Sequence, residues 1–245
     1  MGEYVLCLMG TAMNSASPTS LDYGINRPSE TPPHVIMNRN QHTLRQLKNK
    51  VRVCPSCRKS CAFNLHHCNS CEADISNVET TYTNNIFMSF VYGIKTFKIA
   101  VRYQDNISIV FDDLLALTTC HLNTIPTDCY LPDWRYLLKR PESGYALLKK
   151  MYANCFRVVK EQFWTNSAWR CRYVRDSDGM TDEDIKSIIA AGFNYPPSQY
   201  QLHLQFMVLP LTPFHFSAYL KQHHYTKGRF FPVEYALAGM CYFKT

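Results

Sequence analysis

The stretch Ser198-Gln199-Tyr200-Gln201-Leu202-His203-Leu204-Gln205 alternates between polar and apolar side chains. A period of two marks a β-strand with one face in a core and the other free to build a site. Leu202 and Leu204 would take the core face, and Gln201, His203 and Gln205 would share the other. One imidazole between two carboxamides is a chemically pointed arrangement. A neutral imidazole attacks well near pH 7, and amides can donate hydrogen bonds to a phosphoryl oxygen that gains charge. Asn194, Pro196-Pro197 and Ser198 precede the strand, and such a turn-rich entry can present hydroxyl and backbone N–H groups to a phosphate. A lone histidine is more often a packing residue; the flanking amides and the entry loop set His203 apart.

Cysteine usage points to a second, separate device. The chain of 245 residues holds 11 cysteines, five of them between Cys54 and Cys71. Cys54-Pro55-Ser56-Cys57 and Cys68-Asn69-Ser70-Cys71 are two CxxC pairs with ten residues between them. Each pair can aim two thiolates at one tetrahedral metal, so structural zinc is the expected cofactor. Cys61, His66 and His67 are substitute ligands beside four better-placed thiols. Four thiolates close the coordination sphere and leave no position for water, which excludes a hydrolytic role for that metal. The clustering also argues for a reducing compartment such as the cytoplasm, and against a secreted disulfide scaffold.

The remaining composition sets bounds. A hydrophobic fraction of 46% permits a full core, and the formal charge of +7 suits anionic partners such as nucleotides or RNA. No apolar run is long enough to span a bilayer. Residues 1–50 read as a flexible leader: Ser15 to Pro33 is rich in Ser, Thr, Pro and Asn, and His42 to Arg52 is a basic segment, read as a solvated linker ahead of an RNA-contacting arm. Residues 51–75 form the zinc module, and a compact domain runs over 86–240. Phe87 to Tyr92, Phe97 to Tyr103, Ile107 to Phe111, His121 to Ile125 and Tyr200 to Leu209 are expected strands. Glu142 to Trp164 has helical spacing, and Thr181 with Asp184 forms a capping box for a helix that Gly192 would stop. Strands on both sides of a long helix make the class α+β.

These residues resemble the histidine-triad (HIT) superfamily. Ser198 to Gln205 is similar to the SQxHxHLQ segment of diadenosine tetraphosphate phosphorylases and to the HPHxQ segment of galactose-1-phosphate uridylyltransferases. Val110-Phe111-Asp112-Asp113-Leu114-Leu115 through His121-Leu122-Asn123-Thr124-Ile125-Pro126 resembles the family's other strand pair. The resemblance implies a HIT-like antiparallel sheet flanked by helices. It implies that His203 attacks the α-phosphorus of a nucleotide to form a nucleotidyl-histidine. Gln205 and Ser198 would bond phosphoryl or leaving-group oxygens. Asp113 would accept from a ribose hydroxyl, His121 would support the nucleophile's surroundings, and Asn194 joins them as a substrate-binding candidate. The pattern departs at Gln201, where the family carries histidine. The backbone carbonyl there orients the nucleophile, which any residue supplies, but a carboxamide is no acid near neutral pH. The expected activity is nucleotide hydrolysis or nucleotidyl transfer, the alternative a non-catalytic nucleotide- or RNA-binding module. A homodimer is a further arrangement that the resemblance implies.

Overall fold

The computed structural model describes residues 48–91, 99–221 and 229–242. The expected leader falls outside the described residues up to position 47.

The first sheet grows out of the basic segment. Lys48 to Val53 alternates charged and buried positions, with Asn49 and Val51 inside, and this period makes it strand β1 (Lys48–Val53) rather than a solvated linker. It pairs antiparallel with β2 (Ser60–Ala62) and β3 (Thr80–Asn84) in the order β2-β1-β3. The small core beneath is Cys54, Cys61, Cys68 and Ile75. This sheet spans 48–84, wider than the 51–75 read from the cysteines.

The second sheet holds six antiparallel strands in the order β4-β5-β6-β8-β7-β9. They are β4 (Val101–Gln104), β5 (Ser108–Asp112), β6 (Thr118–Pro126), β7 (Ile189–Asn194), β8 (Leu204–Leu211) and β9 (Phe230–Pro232). Helices α1 (Ile86–Val91), α2 (Pro141–Val158), α3 (Ser167–Tyr173), α4 (Asp182–Ser187), α5 (Pro213–Leu220) and α6 (Val233–Tyr242) surround it, which is the α+β class expected. The period of two splits the strands between two cores. Val110, Leu122, Leu204, Phe206 and Val208 meet Leu148, Met151, Cys155 and Val158 of α2. Ile109, Phe111 and Ile125, on the opposite face, meet Met88, Phe90 and Val91 of α1. The polar face carrying His121, Asn123 and Gln205 therefore looks toward the α1 side. Among the described residues no helix is long and apolar enough to cross a membrane.

Two expectations fail locally. Phe87 to Val91 is helix, not strand, because the Asn85 side chain accepts from the Met88 N–H at 3.2 Å and starts a turn that buries Met88, Phe90 and Val91. Gly192 does not stop the helix begun by the Thr181–Asp184 capping box; α4 ends at Ser187, and Gly192 lies inside β7. There a Cβ would stand 2.4 Å from the Phe231 carbonyl oxygen and 2.7 Å from the Phe230 ring, so glycine serves strand contact. The long helix read over Glu142 to Trp164 starts at Pro141, and its last part, Val159–Trp164, is wound as a π-helix. Phe163 and Trp169 are buried edge to face at 5.5 Å.

Candidate functional site

The site begins where β8 begins. Residues 201–203 are not yet paired in the sheet, so the alternation read from the sequence holds from Leu202 onward and not at Gln201. The Gln201 side chain turns away from His203 and is fully buried. Its Nε2 donates to the carbonyls of Pro126 (3.0 Å) and Cys129 (2.9 Å), and its Oε1 accepts from the Leu131 N–H at 3.0 Å. Gln201 was expected to face a phosphate beside His203; its carboxamide instead ties down the loop leaving β6. The loop's unpaired backbone groups claim it, because leaving them buried and unsatisfied would be costly.

The backbone of Gln201 serves the histidine. His203 Nδ1 lies 2.8 Å from the Gln201 carbonyl oxygen. A carbonyl only accepts, so Nδ1 carries the hydrogen and the neutral ring keeps its lone pair on Nε2. The half-buried ring is also met edge-on by Phe87 of α1, with centroids 4.9 Å apart. Burial holds the His203 pKa below the usual histidine value, against the opposing pull of the Gln201 carbonyl and Asp113. Near neutral pH the ring is therefore uncharged.

Asp113 follows β5, and its adjacent acid faces the other way. Asp112 forms a two-pronged ion pair with buried Arg102, at 2.8 and 2.7 Å, on the α2 side of the sheet. Asp113 accepts from the Leu115 N–H at 2.6 Å and from Asn123 Nδ2 at 2.5 Å. Burial alone would raise its pKa, but His121 and these donors outweigh that and hold the carboxyl below its ordinary value. His121, one β6 pleat from Asn123, accepts from the Leu117 N–H on Nδ1 at 3.2 Å. Its neutral form then carries hydrogen on Nε2, which stands 3.7 Å from Asp113 Oδ2. Burial pushes the His121 pKa down, so it too is neutral.

Register completes the cluster. Asn123 lies directly opposite Gln205 across the β6–β8 pair, and His121 opposite Met207. His121 Nε2, Asn123 Oδ1 and Gln205 Oε1 are buried atoms without a hydrogen-bond partner among the described residues. The three residues share one face of the six-stranded sheet and make it polar there. His203, Gln205, Asp113 and His121 are thus brought together. Ser198 is half-buried in the entry loop, and Asn194 is half-buried two residues beyond the Gly192–Gln205 pair of β7 and β8. Asn123 was missed in the sequence, although its place two residues after His121 puts it on the same face.

The cysteines form a candidate metal centre. The Sγ atoms of Cys54, Cys57, Cys68 and Cys71 all lie within 4.8 Å of one another. Cys54–Cys71 and Cys57–Cys68 are 3.6 and 3.5 Å apart, close to the roughly 3.8 Å edge of a tetrahedron with Zn–S bonds of about 2.3 Å. The two CxxC turns also repeat each other. In the first, the Arg58 N–H donates to the Cys54 carbonyl (2.9 Å) and the Cys54 N–H to the Lys59 carbonyl (2.9 Å). In the second, the Glu72 N–H donates to the Cys68 carbonyl (2.9 Å) and the Cys68 N–H to the Ala73 carbonyl (2.8 Å). Arg58 and Glu72 both adopt left-handed backbone, with φ of 63° and 62°. Two matching turns that accept the same strain to converge four sulfurs fit a metal. Cys61 is buried 3.7 Å from Cys68 Sγ, outside the set of four, and His66 and His67 are exposed.

No protein-family model matches the chain, and no curated protein matches its sequence. Solved structures that share part of its shape include Hnt3 in complex with DNA and guanosine, at 18% identity over 63% of this chain and 75% of that one, with a TM-score of 0.42. The aprataxin ortholog Hnt3 from Schizosaccharomyces pombe follows at 20% identity, with 49% of this chain, 56% of that one and a TM-score of 0.37. A Hit-like protein involved in cell-cycle regulation from Bartonella henselae is similar at 18% identity, over 65% of this chain and 93% of that one, with a TM-score of 0.34.

Proposed function

We propose that the chain is a nucleotide hydrolase or nucleotidyl transferase that works through a nucleotidyl-histidine on His203. The bond from Nδ1 to the Gln201 carbonyl carries this reading, since it fixes the tautomer that leaves Nε2 ready to attack. Nε2 would attack the α-phosphorus while the bond to the leaving oxygen breaks and its electron pair departs with that oxygen. The positive charge that develops on the ring is shared by the Gln201 carbonyl and the nearby Asp113 carboxylate. Water or phosphate then attacks the same phosphorus and returns the electron pair to Nε2. Gln205 and Ser198 bond phosphoryl oxygens, and Asp113, with Asn123 beside it, accepts from a ribose hydroxyl. His121 supports the nucleophile's surroundings beside Asp113, and Asn194 flanks the substrate.

The position of the Gln201 carboxamide selects the substrate. With that side chain committed to the 126–131 loop, Gln201 supplies no acid in place of the family's histidine. The leaving group must then depart as a stable anion. Phosphoanhydrides and mixed anhydrides meet that demand, and a phosphoramidate amine does not. The four cysteines would hold zinc, which folds their module and takes no part in the transfer.

A non-catalytic nucleotide- or RNA-binding module is the second reading, favoured by the same missing acid. Incubation with a dinucleoside polyphosphate labelled at the α-phosphorus separates the two. A trapped adduct that maps to His203 and vanishes in His203→Ala supports the enzyme. Binding with neither adduct nor turnover supports the module.

A further inference from the structure

The three-stranded sheet does more than carry cysteines. Asn49 of β1 is fully buried, with its Oδ1 accepting from the Tyr200 N–H at 2.8 Å and its Nδ2 donating to Gln199 Oε1 at 3.0 Å. Asn85, the residue between β3 and α1 and equally buried, donates to the Tyr200 carbonyl at 3.0 Å. Gln199 Oε1 also accepts from the Ile86 N–H at 2.9 Å, at the start of the helix whose Phe87 meets His203. Both backbone groups of Tyr200 are therefore held by asparagines, one in the cysteine-bearing sheet and one in the link from that sheet to α1. The next residue, Gln201, supplies the carbonyl that orients His203.

The same sheet answers to the metal. β1 ends at Val53, immediately before Cys54, and β2 lies between the two CxxC pairs. Its core is four side chains, three of them cysteines. So small an apolar core does not hold strands by itself.

We infer that Asn49, Asn85 and Gln199 are positioning residues that transmit the folded state of the cysteine module to the orientation of the His203 ring. They act by fixing Tyr200, and through it the Gln201 carbonyl, so that the module sets the nucleophile without touching substrate. The effect on turnover rests on the function proposed above; the effect on the ring does not.

The test uses the full metal-loaded chain and reads the His203 ring directly, by its nitrogen–proton correlation spectrum against pH, assigned with His203→Ala. In Asn49→Ala and Asn85→Ala the Nδ1–H tautomer should give way to a mixture, and the titration midpoint should rise toward that of an ordinary histidine. Turnover should lose about 10- to 100-fold in kcat with KM little changed, as a misplaced nucleophile requires. Chelating the metal from the unaltered chain should move the ring in the same direction. Gln199→Met removes the shared acceptor at a half-exposed position and serves if a buried asparagine variant does not fold. Asn154→Ala is the control, since it breaks a buried network to Ser108 and Asp105 on the other side of the sheet. A His203 spectrum and midpoint that stay as in the unaltered chain, while stability drops as in the control, overturn the inference. A ring that moves in a chain without turnover keeps the inference and removes the catalytic reading instead.

Discussion

The two sheets are stabilised by different physics. The six-stranded sheet has apolar cores on both faces, with α2 packed on one and α1 on the other. The three-stranded sheet has Ile75 and three cysteines, with Leu65, Ala73 and Val78 at its margin. One region buries enough apolar surface to fold by removing it from water; the other has four converging sulfurs and, on the function proposed above, would be held by the metal they bind. His203 stands where the two meet, its ring between a strand of the first and a helix that follows the second. A site at such a junction takes its precision from the large core and depends on the small one for its approach strand.

Metal removal should break this contrast open most widely. With a chelator, or in Cys54→Ser, amide protection of β1, β2 and β3 should collapse to that of an unfolded segment, while β6 and β8 keep theirs. Hydrogen exchange read by mass spectrometry checks both halves. If β6 and β8 lose protection together with β1, the two regions are one cooperative unit and the comparison is wrong.

The converse change belongs in the large core. Phe206 is fully buried and meets Tyr152 of α2 with ring centroids 5.1 Å apart. Phe206→Ala should cost about 3–5 kcal/mol in urea unfolding, from lost burial and the cavity left behind. Metal content of the folded fraction, measured by atomic absorption, should stay at the level of the unaltered chain. A core substitution that also empties the cysteines would show that the module leans on the sheet for its fold.

How far the sequence disclosed this arrangement follows from the range of each interaction. The CxxC pairs and the capping box were legible because their partners lie within a few residues. The alternation of Leu202 to Gln205 was legible because a strand imposes its period. Gln201 was misjudged, since its partners at 126–131 are distant in sequence and the chain there has not yet joined the sheet. Asn49 lay inside what read as a basic linker, and its partner Tyr200 is 151 residues away. Gly192 read as a helix stop because nothing local announces the Phe230–Phe231 strand against it. Polar side chains that satisfy remote backbone groups leave no periodic trace, and they are what joins the two regions.

Gln201→Ala sharpens the comparison at that joint. It would leave the Pro126 and Cys129 carbonyls and the Leu131 N–H without their partner, at about 1–3 kcal/mol in thermal or urea unfolding. The Gln201 carbonyl survives the change, so His203 should keep its tautomer while the β6 exit loop loosens. A variant with unchanged stability would mean that water replaces the carboxamide at no cost.

The smallest effect is the dependence of stability on pH, and its sign can be worked out. His203 and His121 both have folded-state pKa values below the ordinary histidine value, so the unfolded chain takes up their protons first as pH falls. Stability is unaffected by either above the unfolded value of about 6.5 and declines below it, until the folded rings also protonate. Asp113 acts in the same direction further down: its carboxyl is depressed in the fold, so its contribution is present above the unfolded value near 3.9 and lost as pH drops through the folded one. The decline should therefore have two stages, a histidine stage beginning near pH 6.5 and a carboxylate stage below about pH 4. His203→Gln should weaken the first stage and leave the second, because Asp113 keeps its bonds to Asn123 and Leu115. Urea midpoints measured across that range decide it. Since these histidines lie in the six-stranded sheet and its approach, the first stage should persist after chelation if the two regions are as independent as their cores imply, and shrink in so far as the asparagine bridge to Tyr200 keeps His203 buried.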